Sequence, residues 1–326
     1  MLLKELIRPL TKKNVYIEKL WLYIQWKVTD SKYRKYSDLE YTNILWKQAK
    51  NRKPNLENPV TYDEKMWLLK LSNRDPLLTM CSDKHLVRTY IKECGYKDIL
   101  KKEYAVFEDA RDIDFDSIPS PCYLKMNNAS GMNCVFDREK SFNKKQFIWK
   151  FNFLKKQHPY YLSREWNYKN IKPLIICEEL LEMPDGYSDI PELQFFCFHG
   201  NPKFIMYNLG LADSEGNHKQ AIRWVFDMNW NIIDVETSMP TSDIIPEMPE
   251  NYSKMVEIAK KLSEPFPHVR VDLFNIEGKI YFNELTFYSG GGFVHLKPDE
   301  WQYKIGAWIN CKDYIIADDA KTKHNR

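Results

Sequence analysis

Short apolar runs rich in β-forming residues constrain the fold of this chain more than any other feature. The last two runs, 269–274 and 279–284, are separated only by Asn275-Ile-Glu-Gly278, which predicts a tight antiparallel hairpin. Earlier runs of the same kind predict strands over 104–107, 122–126, 174–177, 193–198 and 203–207. Helical patterns over 143–157 and 251–262 lie between them, so the sequence predicts an α+β protein with antiparallel hairpins.

The N-terminal part of the chain has helical periodicity instead. Apolar residues between Leu2 and Trp26 recur at spacings of three and four, and Pro9 marks a helix boundary. A second helix is predicted over 38–50, followed by a turn-rich connector over 51–59. We therefore expect a helical extension that ends near residue 55.

Two further helices are predicted after this connector. Thr61 and Glu64 have the spacing of a capping box, which predicts a helix start, and another helix is expected over 82–94. The polar segment 209–221 predicts a surface loop that could close over a binding site.

The N-terminal segment is also strongly basic. Residues 1–53 carry 13 Lys/Arg against 5 Asp/Glu, a local excess of +8 in a chain of net charge +3. The segment either packs on the main body with a solvated basic face or contacts an acidic membrane surface. Nucleic-acid binding is not expected, because no recognised binding motif accompanies this charge.

The remaining composition predicts a soluble, cytoplasmic protein. No apolar run reaches the roughly 18 residues of a spanning helix. The first residues lack a secretory cleavage pattern. The seven cysteines are odd in number and scattered, which favours buried free thiols over disulfides or a zinc site. Contact with the inner face of the cell membrane would come from the basic extension.

A lysine followed by small residues is the first candidate binding motif. The segment 123–133 places Lys125 near the end of a predicted strand, before Ser130 and Gly131. Backbone N–H groups of such a loop can approach an anion, and Lys125 would supply charge for phosphate oxygens. A hairpin with an exposed lysine is the alternative.

An apolar strand that ends in carboxylates is the second motif. In the segment 175–181, Glu178 and Glu179 follow three apolar residues. Glu178 could accept a hydrogen bond from an adenine amine, with Glu182 or Asp185 near the ribose. A solvent-exposed strand end would have the same pattern.

The third motif is a pair of carboxylates in neighbouring strands. Asp272 and Glu284 interrupt the two β-forming runs of the predicted hairpin, where an inward carboxylate needs a partner. Two hard oxygen donors opposite each other suit Mg²⁺ bound together with phosphate. Arg270 lies two residues before Asp272, on the same strand face. A structural ion pair between Arg270 and Glu284 is the alternative.

The order of these motifs, together with Lys84, resembles the linear layout of ATP-grasp enzymes. Within them, the chain is most similar to the TupA-like ATP-grasp family of bacterial surface-polysaccharide clusters, over about residues 55–308. The segments that carry the resemblance are 58–65, 83–88, 124–131, 164–173, 195–204, 269–273 and 283–287.

The resemblance implies an ATP-grasp fold, in which two α+β subdomains clasp ATP between antiparallel sheets. Here an N-terminal helical extension precedes them. The implied division is a basic extension over 1–55, an N-terminal subdomain over 56–122, a central subdomain over 123–180 and a C-terminal subdomain with the metal site over 181–326.

The resemblance also assigns ATP and Mg²⁺ as cofactors. Lys84 and Lys125 match the phosphate-contacting lysines, and Glu178 and Glu179, with the backbone to Leu181, match the adenine hinge. The full implied nucleotide set is Lys84, Lys125, Ser130, Gly131, Glu178, Glu179, Leu181 and Asp185. The implied metal set is Asp272, Glu284 and Thr286.

Catalysis and acceptor binding are assigned in the same way. Arg270, Arg223 and Lys125 are the expected catalytic residues. The expected acceptor-binding residues are Arg164, Lys169, Ser289, Gly290 and Gly291. Two positions depart from the expected pattern: Gln194 stands where the family commonly has lysine, and Thr286 where many ATP-grasp enzymes have a metal-binding asparagine.

The implied activity is that of a carboxylate–amine ligase that proceeds through an acylphosphate. The substrates implied by the family setting are a uronic-acid carboxylate of a capsule or cell-wall glycan and an amino acid or amine. Two alternatives remain open, a phosphotransferase acting on a sugar or glycan precursor and a nucleotide-binding scaffold without turnover. Membrane-bound glycan enzymes are the expected peripheral partners.

Overall fold

The computed structural model describes residues 14–129, 132–183, 190–211 and 221–324. Its α-helices are α1 (Val15–Val28), α2 (Asp38–Lys50), α3 (Tyr62–Ser72), α4 (Pro76–Ser82), α5 (Val87–Glu93), α6 (Lys144–Leu154), α7 (Tyr160–Ser163), α8 (Tyr252–Ser263), α9 (Glu300–Gly306) and α10 (Asp318–Lys321). Its strands are β1 (Glu103–Phe107), β2 (Cys122–Met126), β3 (Asn133–Phe136), β4 (Ile175–Glu178), β5 (Glu192–Phe198), β6 (Asn201–Leu209), β7 (Ile222–Asp227), β8 (Val269–Ile276) and β9 (Lys279–Thr286). The protein is therefore α+β, as predicted.

The chain divides into two compact units that are discontinuous in sequence. The first comprises residues 1–51, 103–180 and 317–326, and the second comprises 52–102 and 181–316. The predicted segment 56–122 is therefore divided at residue 102, because β1 hydrogen-bonds to β4 in the sheet of the first unit.

The first unit is built on a four-stranded antiparallel sheet of order β1-β4-β2-β3. Strand residues alternate between two faces. On β2, Cys122, Leu124 and Met126 enter a hydrophobic cluster that includes Phe147 and Phe151 of α6. The intervening β2 residues therefore lie on the face opposite this core.

Helix α1 packs on α6 within the same unit. The rings of Trp26 and Phe153 meet edge to face at 6.2 Å, and Lys150 forms a 2.7 Å ion pair with Glu18. Helix α2 follows and begins with a capping box formed by Ser37 and Glu40. The extension is thus helical and joined to the first unit, and its predicted part over 1–13 lies outside the described residues.

The second unit is built on a five-stranded antiparallel sheet of order β7-β6-β5-β8-β9. Strands β8 and β9 form the predicted hairpin, and Glu277 and Gly278 at its turn both have positive φ values, 49° and 79°. Two successive left-handed residues are the geometry that matches the twist of a tight hairpin.

Helix α8 covers one face of this sheet. The core includes Met255 and Leu262 from α8, Phe195 from β5 and Val271 from β8. Residues two positions apart in a strand share a face. The even-numbered residues of β5 and β8 next to these apolar positions therefore lie on the opposite face, which carries the candidate site.

The helices that precede the sheet in the second unit confirm one prediction and correct another. Thr61 and Glu64 form the predicted capping box at the start of α3. The helix predicted over 82–94 instead begins at Val87. The carboxylate of Asp83 accepts hydrogen bonds from the backbone N–H groups of His85 and Leu86, which holds a turn before the helix.

Strands β3 and β7 were not predicted. Each contains an apolar run of only three residues bounded by polar ones, which is too short to predict a strand. All seven cysteines are free thiols, five of them buried, as expected. In the part of the chain that the structure describes, no helix combines the length and the apolar character needed to cross a membrane.

Candidate functional site

Asp272 and Glu284 lie directly opposite each other on β8 and β9, as the hairpin pattern predicted. Their side chains differ in exposure, because that of Asp272 is fully buried and that of Glu284 is 37% exposed. The pair therefore presents one carboxylate inside the protein and one at the rim of the sheet face.

Arg270 joins the two carboxylates. Its Nε donates to Asp272 Oδ1 at 2.7 Å, and its Nη2 donates to Asp272 Oδ2 at 2.5 Å. The same Nη2 contacts Glu284 Oε1 at 3.4 Å and Thr286 Oγ1 at 3.1 Å, and Thr286 donates to Glu284 at 2.9 Å. The main ion pair of Arg270 is thus bidentate and with Asp272, and its contact with Glu284 is longer.

Sequence reasoning missed a third carboxylate, Glu192, in this cluster. It is buried, and its two oxygens accept from Gln194 Nε2 at 2.8 Å and from Asn283 Nδ2 at 2.5 Å. Gln194 stands opposite Asp272 across the β5–β8 pair. The alternation of Glu192 and Gln194 with Leu193 in an otherwise apolar strand was the available signal.

A β-bulge brings Asn283 into the cluster. The β8–β9 register shifts after Asp272, so Leu273 pairs with Phe282 and Asn283 is the additional residue on β9. Such bulges re-aim a side chain, and here the amide of Asn283 reaches Glu192. The pairing of β5, β8 and β9, with one irregularity, therefore brings Glu192, Asp272, Asn283 and Glu284 into one cluster.

Arg223 lies further along the same sheet, on β7. It pairs with Asn208 of β6, and its Nε donates to Asn208 Oδ1 at 2.6 Å. Burial, with a contribution from the charge of Arg270, lowers the pKa of Arg223 to about 10. The expected catalytic arginines Arg223 and Arg270 thus belong to one electrostatic environment.

The cluster contains an excess of buried negative charge. Burial raises the pKa of Asp272 despite the opposing effect of Arg270, and Glu192 and Glu284 raise it further. Burial likewise raises the pKa of Glu192. Burial would lower the pKa of Arg270, but the neighbouring carboxylates outweigh it and raise that pKa. A bound cation would relieve this excess.

The oxygen donors of the cluster fit Mg²⁺ in chemical type. In the described segments, no group of three or more His, Cys, Asp or Glu side chains could hold a metal on its own. Asp272 and Glu284 provide two carboxylates, and Mg²⁺ commonly completes its shell with water and phosphate oxygens. Gln194 Oε1 is also buried and without a hydrogen-bond partner among the described residues, so a further neutral acceptor lies in the same cluster.

In the first unit, Lys125 and Glu178 form a second buried ion pair. Their strands β2 and β4 are antiparallel neighbours, and Lys125 Nζ lies 2.6 Å from Glu178 Oε1. Both side chains are on the face opposite the hydrophobic cluster, with exposures of 11% and 4%. The structure therefore brings together the predicted phosphate lysine and the predicted adenine-binding glutamate.

The other predicted nucleotide residues are placed as follows. Glu179 and Leu181 follow β4 and are partly buried. Lys84 lies in the turn before α5, in the second unit, where Asp83 fixes the backbone. Ser130, Gly131 and Asp185 lie outside the described residues, as does most of the predicted loop 209–221.

Arg164 has a structural position that argues against the acceptor-binding role expected for it. Its side chain is fully buried in the first unit, with Nε 3.1 Å from Asp38 Oδ1. It also donates to the backbone carbonyls of Tyr161 at 2.5 Å and Tyr33 at 2.6 Å. Asp38 in turn accepts from Tyr160 at 2.6 Å, so the guanidinium is enclosed by protein groups.

The remaining acceptor candidates lie in different units. Lys169, in the first, forms a 3.3 Å ion pair with Asp319. Ser289, Gly290 and Gly291, in the second, follow β9. Gly290 and Gly291 adopt positive φ values of 58° and 64°, which explains locally why glycine stands there.

Comparison with known proteins gives a match to a family model. The model of the TupA-like ATP-grasp family matches residues 64–310. Comparison with curated protein sequences gives no match.

Among solved structures, similar chains include two D-alanine–D-alanine ligases and an L-amino acid ligase. The D-alanine–D-alanine ligase from Bacillus anthracis is 16% identical, with 66% of this chain and 59% of that chain covered and a TM-score of 0.39. The L-amino acid ligase from Bacillus licheniformis is 14% identical, with coverages of 76% and 48% and a TM-score of 0.40. The D-alanine–D-alanine ligase from Helicobacter pylori is 16% identical, with coverages of 78% and 68% and a TM-score of 0.41.

The chain thus spans less than two thirds of the first of these ligases, and the identities and TM-scores are too low to indicate a shared substrate. The family match, in contrast, covers most of the chain and includes Lys84, Lys125, Glu178 and the carboxylate pair. This protein therefore belongs to the TupA-like ATP-grasp family.

Proposed function

We propose that the protein is an ATP-dependent carboxylate–amine ligase. The observation that carries this proposal is the β8–β9 hairpin, on which Arg270 bridges Asp272 and Glu284 across two paired strands. The hairpin lies within the segment that matches an ATP-grasp family, whose members are expected to activate carboxylates with ATP.

In this proposal Asp272 and Glu284 hold Mg²⁺, and Arg270 sets their orientation before the nucleotide binds. Arg270 also places a fixed positive charge beside the carboxylates, where it can stabilise negative charge that develops during phosphoryl transfer. ATP would supply the phosphoryl group that converts a substrate carboxylate into an acylphosphate, and an amine would then displace phosphate to give the amide.

Lys125 and Glu178 are the residues that we propose to bind the nucleotide itself. Lys125 is the candidate for phosphate oxygens, and Glu178, 2.6 Å away, is the candidate acceptor for the adenine amine. The pairing supports these roles, because Glu178 holds the lysine side chain in one orientation before any ligand is present. Lys84 remains a proposed phosphate ligand.

The side chains of the cluster favour direct attack by the substrate. The hydrogen-bond partners that Arg270 and Glu192 have in this cluster are carboxylate, amide and hydroxyl groups, which position charge: Asp272, Glu284, Thr286, Gln194 and Asn283. Positioning and charge stabilisation therefore account for the chemistry without a covalent enzyme intermediate.

We propose a uronic-acid carboxylate of a surface glycan precursor as the acceptor and an amino acid or amine as the nucleophile. The support for this choice is the resemblance to a family of surface-polysaccharide clusters. Arg223 is the arginine we assign to the acceptor carboxylate, because it lies on the same sheet and acts electrostatically on Arg270.

Mass spectrometry of reaction products tests this function. The full-length protein is incubated with ATP, Mg²⁺, free and nucleotide-linked uronic acids and a pool of amino acids. An amide product with release of ADP and phosphate is expected. A phosphorylated acceptor without amide, or binding of ATP without ADP release for every acceptor, would contradict the ligase.

A further inference from the structure

Helix α1 exposes an apolar stripe that nothing in the proposed chemistry uses. Tyr16, Leu20, Tyr23, Ile24 and Val28 are between 41% and 81% exposed. Their spacing of three and four residues places them on one face of the helix, which we name the α1 stripe. Isolated apolar residues on a surface are ordinary, but five on one face of a single 14-residue helix form a continuous patch.

The opposite side of α1 is fixed to the first unit by several contacts. Glu18 pairs with Lys150 at 2.7 Å and accepts from Gln146 Nε2 at 2.8 Å. Lys19 Nζ lies 4.8 Å from the centre of the Trp149 ring. These contacts with α6 set the rotation of α1 about its axis, and they direct the α1 stripe to solvent.

The surroundings of the α1 stripe are positively charged. Two acidic residues of the described part of this region are engaged elsewhere, since Glu18 pairs with Lys150 and Asp38 is buried against Arg164. In contrast, Lys27 lies exposed within the stripe, and Lys32 follows it, also exposed. Lys27 and Lys32 therefore give the described part of the stripe positively charged surroundings.

We propose that α1 docks on an anionic lipid surface, with the α1 stripe buried at the boundary between headgroups and acyl chains. Apolar and aromatic side chains beside lysines are the combination that such a helix requires. A soluble polyanion would use the lysines but would leave the stripe exposed to water. Anionic lipid satisfies both, because it attracts the lysines and accepts the stripe.

Vesicle sedimentation with the full-length protein tests the docking. Vesicles of phosphatidylcholine alone are compared with vesicles that also contain phosphatidylglycerol. The test variant is Leu20→Glu with Ile24→Glu. The matched control is Ile244→Glu with Ile315→Glu, which changes two isoleucines of the second unit that are 81% and 79% exposed.

We expect the native chain and the control to bind the anionic vesicles, and the stripe variant to bind at least about tenfold more weakly. Tenfold corresponds to the loss of a single buried aliphatic side chain, and the variant replaces two, so the factor is a lower bound. Native binding should be much weaker on neutral vesicles and should fall with added salt. Circular dichroism and thermal melting should show that all variants remain folded.

Three results would overturn the docking: equal binding by the stripe variant and the native chain, equal loss in the control, or binding to single-stranded DNA or an acidic polysaccharide without binding to vesicles. The docking does not depend on the ligase proposal. The stripe variant should retain the ATP turnover of the native protein, so that failure of either proposal can be recognised separately.

Discussion

The two opposed carboxylates of the hairpin contribute differently to function and to stability. Asp272 is fully buried and bound by Arg270 through two hydrogen bonds, whereas Glu284 is 37% exposed. Removing the charge of Glu284 leaves Arg270 paired with Asp272 through two hydrogen bonds, so its guanidinium keeps a compensating charge. Glu284 is therefore the position at which metal binding can be tested with little effect on folding.

We predict that Glu284→Gln lowers ATP turnover by at least about 100-fold, because the neutral amide is a poor ligand for Mg²⁺ in a site that relies on positioned charge. The melting temperature should change by no more than about 3 °C, the scale of a surface substitution. Steady-state ADP release and thermal melting measure the two effects.

Glu277→Gln is the matched control for that substitution. Glu277 is exposed in the turn of the same hairpin, so it should keep native turnover. If Glu284→Gln turns over ATP as fast as Glu277→Gln, the assignment of Glu284 to the metal is wrong.

At the scale of elements, the buried Arg164–Asp38 pair joins α2 to the turn after α7. Asp38 is the first residue of α2. Its carboxylate forms an ion pair with Arg164, accepts a hydrogen bond from the hydroxyl of Tyr160 and contacts the ring of His324, near the C-terminus. Three segments of the first unit therefore converge on one carboxylate.

We predict that Arg164→Ala destabilises the protein by about 3 to 5 kcal/mol, because it leaves the buried negative charge of Asp38 without its arginine partner. Lys169→Ala is the control, since Lys169 is 28% exposed and its pair with Asp319 contributes less than about 1 kcal/mol. Chemical denaturation of both variants gives the comparison. Equal stabilities would show that Arg164 does not hold these segments together.

A buried histidine joins α3 to β5 in the second unit. Nε2 of His268 lies 2.8 Å from the hydroxyl of Tyr62, and Nδ1 lies 2.9 Å from the carbonyl of Cys197. A neutral imidazole that donates from Nδ1 and accepts at Nε2 satisfies both contacts. Burial lowers the pKa of His268 to about 4.

We predict that acid removes a contribution of His268 to stability. Its folded pKa is below its unfolded value of about 6.5, so the unfolded chain binds more protons between the two values. The contribution is complete above pH 6.5 and is lost as the pH falls toward 4, by an amount on the order of 3 kcal/mol.

Denaturation of the native protein and of His268→Gln at pH 7, 6, 5 and 4 checks this. Glutamine can keep both hydrogen bonds but cannot titrate, so its stability should fall less over this interval. Identical pH profiles would exclude His268 as the titrating group.

At the scale of the whole molecule, the features predicted from the sequence are those formed by residues that are close together in the chain. The two β-forming runs predicted that Asp272 and Glu284 lie on neighbouring strands of one hairpin. Their direct pairing depends on the bulge, because a regular hairpin with this turn would place Asp272 opposite Asn283. The capping box of Thr61 and Glu64 was predicted because all of its atoms lie within one turn of helix.

Features that depend on distant pairing were not predicted. Glu192 joins the cluster only because β5 pairs with β8, and Asn283 only because β9 contains a bulge. The resemblance assigned Arg164 to the acceptor, and nothing in the sequence around Arg164 indicates that Asp38, which is distant in the chain, would enclose it. The discontinuous composition of the two units has the same origin, because it follows from which strands hydrogen-bond.

Lys125 is the proposed phosphate ligand, and Glu284 is a proposed Mg²⁺ ligand. Calorimetric titration of ATP into the native protein, Lys125→Ala and Glu284→Gln, each with Mg²⁺ and with a chelator, tests their assignment most directly. We expect Lys125→Ala to weaken ATP binding under both conditions and Glu284→Gln to weaken it only when Mg²⁺ is present. Native affinity for Mg-ATP in both variants, or no ATP binding by the native protein, would contradict the account.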